Sequence, residues 1–147
     1  MIDELDLDTL PQIIPIGEAF AKEANYPGGW SWPDFARMWV SLLNGGLGKI
    51  FVSTDGGQLG GALGAVFTPD PYSGQMTAVE QFWYVLPEHR KTRAGMELFQ
   101  AFQVEAKKRQ ARKIVMVHLA SLTPESLQKF YEKEGFRLAE QTFWKIL

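Results

Sequence analysis

The sequence predicts a mixed α/β sheet in one domain, residues 1–147, and three observations carry that expectation. Phe82 to Leu86 is a continuous apolar and aromatic run, the pattern of a strand buried on both faces. Pro87 ends the run because it has no N–H for a ladder, and from about Thr92 the apolar residues take helical spacing at Met96, Phe99, Phe102 and Ala106. A second apolar run, Lys113 to Leu119, follows that helix. A strand–helix–strand connection of this kind is right-handed and makes its two strands parallel. With 147 residues, 46% of them hydrophobic, the chain can build a real core.

Taken in order, residues 2–7 read as either a short strand or a lead-in. Asp8 is placed to cap a first helix through Ala24, whose apolar side is Ile13, Ile14, Ile16, Gly17 and Phe20. Pro11 fits the first turn, whereas Pro15 kinks or delays the helix. Tyr26-Pro27-Gly28-Gly29 is a turn. Ser31 then reads as an N-cap, with Pro33 in the first turn, for a second helix to about Leu43. Its apolar positions Phe35, Met38, Trp39 and Leu42 step by three and four. Asn44, Gly45 and Gly46 end it.

Lys49–Ser53 and Leu59–Phe67 read as a hairpin joined at Asp55-Gly56-Gly57. Gly60, Gly61 and Gly64 on the second strand predict close packing of something large. Residues 69–75 form a polar loop, and Thr77–Leu86 is the central strand. The long helix ends near Gln110. Thr123 is placed to cap a last helix with Pro124 at its first position, and Leu127, Phe130 and Tyr131 share one face. Gly135 ends it. Phe136–Leu138 and Thr142–Ile146 read as two closing strands.

Composition narrows the chemistry. The chain has no cysteine, which removes thiol nucleophiles, disulfides and cysteine-ligated metals. No metal site is expected. No apolar run approaches the roughly 20 residues of a membrane span. The acidic start, Asp3, Glu4, Asp6 and Asp8, is wrong for a secretory signal. A cytoplasmic protein is the expectation. A net charge of −2 disfavours a nucleic-acid binder. Lys107, Lys108, Arg109, Arg112 and Lys113 form a basic cluster, but at a helix C-terminus, where cations are favoured anyway.

The turn between the central strand and the long helix holds Arg90, Lys91 and Arg93. Unpaired N–H groups at a helix start bind anions, and flanking cations favour phosphate. A solvated basic loop before a surface helix is the other reading of the same residues.

The arrangement resembles the GNAT N-acetyltransferase superfamily. Arg90-Lys-Thr-Arg-Ala-Gly95 matches the first and last positions of that family's Gln/Arg-x-x-Gly-x-Gly/Ala motif. Tyr84-Val85-Leu-Pro87-Glu-His-Arg90 is similar to its usual lead-in, and Phe130-Tyr-Glu-Lys-Glu-Gly-Phe136 to its Tyr-x-x-x-Gly-Phe signature. The resemblance covers residues 48–147 well and the first helices more loosely. Two departures stand out. Arg93 replaces the first motif glycine, and Pro124 stands where many members place an asparagine on the pantetheine arm.

The resemblance implies a GNAT-like fold and acetyl-CoA as the acyl donor. Backbone groups of Tyr84 and Val85 would pair with the pantetheine and polarise the thioester carbonyl. The turn would hold the diphosphate through backbone groups of Lys91, Thr92, Arg93, Ala94, Gly95 and Met96, with Arg90 beside them. Phe130 and Tyr131 would lie against the coenzyme, Tyr131 as general acid to the departing thiolate. An amine acceptor must be neutral to attack, and a lysine-type amine has a pKa near ~10.4, so a base is required. Glu80 is the candidate, placed by period two on the same side as Phe82 and Tyr84. Its alternative is an edge carboxylate paired with a lysine.

His118 is either structural or a proton relay, and His89 is expected to be solvated. Trp30, Trp32 and Trp39 either line an acceptor site or only pack, and the Tyr26–Trp32 turn is the candidate lid. The leading reading is an acetyl-CoA-dependent N-acetyltransferase acting on an unspecified primary amine. A catalytically idle acyl-CoA-binding or regulatory protein of the same fold is the alternative, and a nucleic-acid adaptor comes third. Pairing through the C-terminal strands would give a homodimer.

Overall fold

The computed structural model describes residues 1–119, 122 and 124–147. Its frame is one five-stranded sheet in the order β1-β2-β3-β4-β5. The strands are β1 (Ile2–Glu4), β2 (Gly48–Asp55), β3 (Gln58–Pro69), β4 (Met76–Val85) and β5 (Lys113–Val115). β1 to β4 run antiparallel to their neighbours, and β5 is parallel to β4. The helices are α1 (Ile14–Glu23), α2 (Trp32–Asn44), α3 (Ala94–Lys108) and α4 (Pro124–Lys133).

Alternation along the strands divides the core in two. Ile50, Val52, Ala62 and Tyr84 face α1 and α2, where Ile13, Ile16 and Trp39 are buried. Phe51, Leu63, Ala65, Phe67 and Ala78 face α3, against Leu98, Phe102 and Ala106. The two-residue hairpin between β2 and β3 works because Gly56 and Gly57 both hold positive φ, 56° and 82°. Gly60 and Gly64 of β3 accommodate rings, as expected, whereas Gly61 lies against the Tyr84 carbonyl and Val85 of the next strand. A Cβ on Gly64 would sit 2.3 Å from the Phe82 ring, and one on Gly60 2.8 Å from the His89 ring. His89 is therefore packed rather than solvated.

Several ends differ from expectation. Pro15 delays the first helix: a 3-10 turn at Leu10–Ile13 precedes α1, and Pro15 falls in the first turn of α1. Asp8 caps nothing there. The Asp6 carboxylate instead accepts from the Asp8 and Thr9 N–H groups and the Thr9 hydroxyl. Ser31 occupies the N-cap of α2, but its hydroxyl donates to Asp34 rather than accepting from the backbone. The proposed cap at Thr123 lies outside the described residues.

The two closing strands do not form. Gly135, at φ 89°, ends α4, and the Phe136 N–H turns back to the Tyr131 carbonyl at 2.8 Å while Gly135 donates to Glu132. That is a Schellman cap, and the Phe136 ring seals it 5.7 Å from the Tyr131 ring. Phe136 is thus spent on the helix end. Beyond it Phe143, Ile146 and Leu147 are exposed. β5 is also shorter than expected, three residues instead of Lys113–Leu119, for a reason that lies in the site.

Candidate active site

β4 and β5 pair only from Thr77 to Val79 on β4. Past that point they part, and the peptide that marks the parting is Val117. Its N–H donates to Glu80 Oε2 at 3.0 Å, and its carbonyl accepts from the Tyr131 hydroxyl at 2.7 Å. Both backbone groups go to side chains, so no ladder continues and β5 stops. The two residues expected to carry proton chemistry, one on β4 and one on α4, thus meet at the backbone of one residue. Val117 itself had no signal in the sequence, because the bonds are made by its backbone.

Glu80 reaches this place through a β-bulge. Glu80 lies opposite Ala65, and Phe82 lies opposite Gly64, so Gln81 is an extra residue. Period-two counting put Glu80 on the side of Phe82 and Tyr84; the bulge reverses it. Glu80 shares the α3 and α4 face with its partner Ala65, whereas Phe82 and Tyr84 face α1 and α2. The carboxyl is only 4% exposed. Burial pushes its pKa up to about 7, against the pull of the Val117 N–H. Burial, then the neighbouring Glu80 carboxylate, pushes the Tyr131 phenol above its ordinary range, so it stays a proton donor at any ordinary pH.

The open edge of β4 borders a cleft of about 320 Å³, lined by Trp83, Val85, Arg90, Thr92, Gly95, Met96, Leu127 and Phe130. The Leu86 N–H bonds to Gly60, so alternation directs the peptide groups of Tyr84 to β3 and those of Trp83 and Val85 to the open edge. The Tyr84 side chain also lies on the far face, its hydroxyl donating to Glu23. Burial and that bond push its pKa to about 12. The sequence reading passed over Trp83. Its ring stacks on Phe99 at 5.7 Å, and its Nε1 is buried without a hydrogen-bond partner. An orphaned donor beside an open strand edge fits a ligand carbonyl. His118 Nδ1 is the other buried side-chain atom without a partner among the described residues.

At the head of α3 the Thr92 hydroxyl donates to the His89 carbonyl and accepts the Ala94 N–H. Gly95 and Met96 belong to the first helical turn, whose N–H groups have no helical carbonyl to meet. Arg93, at φ −83°, needs no glycine conformation, and its side chain borders a second cavity with His89, Thr92 and Glu97, not the cleft. Gly95 does line the cleft, and a Cβ there would stand 3.5 Å from Val85. Lys91 is exposed. Arg90 is engaged by Glu23 and Val85.

Trp30, Trp32, Phe35, Trp39 and Phe82 form one aromatic cluster, and Trp39 is fully buried in it. Trp30 lies where a Cβ on Gly17 would be. In the basic cluster, Lys108 and Arg109 pair with Glu105, and Lys113 with Asp70. Among the described residues no group of acidic or histidine side chains could hold a metal ion, and no helix is long and apolar enough to cross a membrane.

Residues 46–138, well over half the chain, match the acetyltransferase (GNAT) domain. No curated protein matches the sequence. Among solved structures, a ribosomal-protein-alanine N-acetyltransferase from Brucella melitensis biovar Abortus 2308 superposes with TM-score 0.70 at 21% identity, covering 100% of this chain and 99% of its own. A predicted acetyltransferase with acetyl-CoA from Clostridium acetobutylicum gives 0.79 at 17%, with coverage of 100% and 94%. An aminoglycoside acetyltransferase from an uncultured soil metagenomic sample, in complex with trehalose, gives 0.77 at 21%, with coverage of 100% and 95%. At these identities the likeness is one of fold.

Proposed function

The chain belongs to the GNAT acetyltransferase domain family, and from that premise we propose that it is an acetyl-CoA-dependent N-acetyltransferase transferring directly to a primary amine. The observation that carries the proposal is the parting of β4 from β5 beside the cleft, with Glu80 and Tyr131 converging on Val117 at its apex. Acetyl-CoA would supply the activated acyl group and a thiol as leaving group.

The residues of this chain fit that partner. The open-edge peptide groups of Trp83 and the Val85 N–H, with the Trp83 Nε1, offer hydrogen bonds to a pantetheine arm. Leu127 and Phe130 give the cleft its apolar wall. The N–H groups of Gly95 and Met96 at the start of α3 face the diphosphate. Lys91 and Arg93 add charge near the turn without entering the cleft.

Glu80, with its pKa near 7, accepts the proton that the amine must lose. Tyr131, a neutral phenol, passes its proton to the departing thiolate, exchanging the Val117 carbonyl for the sulfur, and is restored by the proton that Glu80 took from the amine. Primary amines of proteins and of small molecules both suit this chemistry. A cytoplasmic setting is part of this reading.

The test is a titration with acetyl-CoA by calorimetry, followed by free-thiol release over a panel of amines and proteins. Heat with saturation, then amine-dependent thiol release, is the expected result. No heat overturns the coenzyme reading. Binding without thiol release over the whole panel favours the idle acyl-CoA-binding protein.

A further inference from the structure

Arg90 stands at the motif position that the family resemblance sets beside the diphosphate, yet three of its five N–H donors, one on each nitrogen, are spent within the protein and one on each terminal nitrogen remains. Its Nε donates to the Val85 carbonyl at 2.9 Å. Its two terminal nitrogens donate to the two oxygens of the Glu23 carboxylate, Nη1 to Oε1 at 2.8 Å. The Tyr84 hydroxyl donates to that same carboxylate, and the guanidinium lies 5.4 Å from the Tyr84 ring centre. All three nitrogens therefore meet protein acceptors. The charge is balanced locally, which holds the Glu23 carboxyl below its usual range and raises Arg90.

Position gives the arrangement its meaning. Glu23 is the last residue of α1, directly before the Tyr26–Trp32 turn. Val85 is the last residue of β4, its carbonyl on the open edge. Arg90 begins the turn into α3. The pair is partly exposed, 43% for Arg90 and 33% for Glu23, so water screens it and its share of global stability is small. Its effect is local: one planar fork joins the end of α1, the end of β4 and the turn before α3.

We propose that Arg90 is a positioning residue and not a phosphate ligand: the Glu23–Arg90–Val85 connection is a strut that sets the turn at 91–96 against α1 and fixes the last carbonyl of β4. What the turn holds rests on the coenzyme reading above; the strut rests on the hydrogen bonds alone. Lysine cannot replace it, because a single ammonium does not span a carboxylate and a carbonyl in one plane.

The experiment titrates acetyl-CoA into the wild type, E23Q, R90Q, R90K and E23Q/R90Q at two salt concentrations, with circular dichroism to verify folding. Each single variant is expected to weaken binding about three- to tenfold, the size of one ordinary net hydrogen bond, because the pair is partly screened by water. The double variant is expected to be no worse than either single one. R90K should be no better than R90Q, and the salt dependence should match the wild type. Unchanged or tighter binding by E23Q, together with a loss in R90Q that R90K restores, would place Arg90 on the diphosphate and overturn the strut. So would no effect in any variant. If the wild type itself gives no heat, the coenzyme reading fails, and the strut is read from amide hydrogen exchange of the free chain. Faster exchange at 20–29 and 86–94 in E23Q and R90Q supports it, and unchanged rates overturn it.

Discussion

Glu80 couples burial to acidity, and that coupling has a sign. Its carboxyl titrates at about 7 in the folded chain and at the ordinary 4.5 when unfolded. Between these values the folded chain holds a proton that the unfolded chain has released. Stability therefore falls as pH rises through that window and levels off above it, by about 3 kcal/mol in all. Glu80→Gln should flatten this part of the curve, measured by urea denaturation in pH steps. The same ionisation predicts an acidic limb with its midpoint near 7 in the pH–rate profile. A variant that keeps the limb removes Glu80 as the base. Tyr131→Phe should slow turnover by about a hundredfold or more while acetyl-CoA affinity stays within about twofold. Unaltered turnover takes Tyr131 out of the mechanism. Both residues were named from the sequence. Their meeting point was not, because a backbone amide and carbonyl leave no trace in residue identity.

Among the elements, what was legible was local. The Gly56-Gly57 hairpin, the long helix α3 and the Gly135 stop each follow from a few neighbouring residues. The face of Glu80 did not follow, because the bulge at Gln81 arises from pairing β3 with β4 and not from β4 alone. The closing strands failed likewise. Their residues have strand character, but Phe136 is claimed by the end of α4 and the rest lie exposed outside the sheet. β3 makes the packing of the bulge testable. Gly64→Ala puts a methyl into the Phe82 ring, which Phe35 and Trp39 hold at 5.9 and 5.6 Å. We expect a loss of about 1–3 kcal/mol in chemical denaturation, typical of overpacking. An unchanged midpoint would mean that the ring moves freely.

At the scale of the molecule, the sheet is whole on one side and open on the other. α1 and α2 cover one face and α3 most of the other, and at the gap between β4 and β5 a strand edge meets a cleft. Trp83 stands in that gap, while Trp30, Trp32 and Trp39 share the cluster across the sheet and Trp144 leans on Tyr26. The indole of Trp83, with its nitrogen unclaimed, is thus a built-in optical probe. Loading the cleft should shift and dim its emission, and Trp83→Phe should abolish that change while the other tryptophans go on glowing as before. A drop in fluorescence that survives the replacement would have to come from elsewhere in the chain.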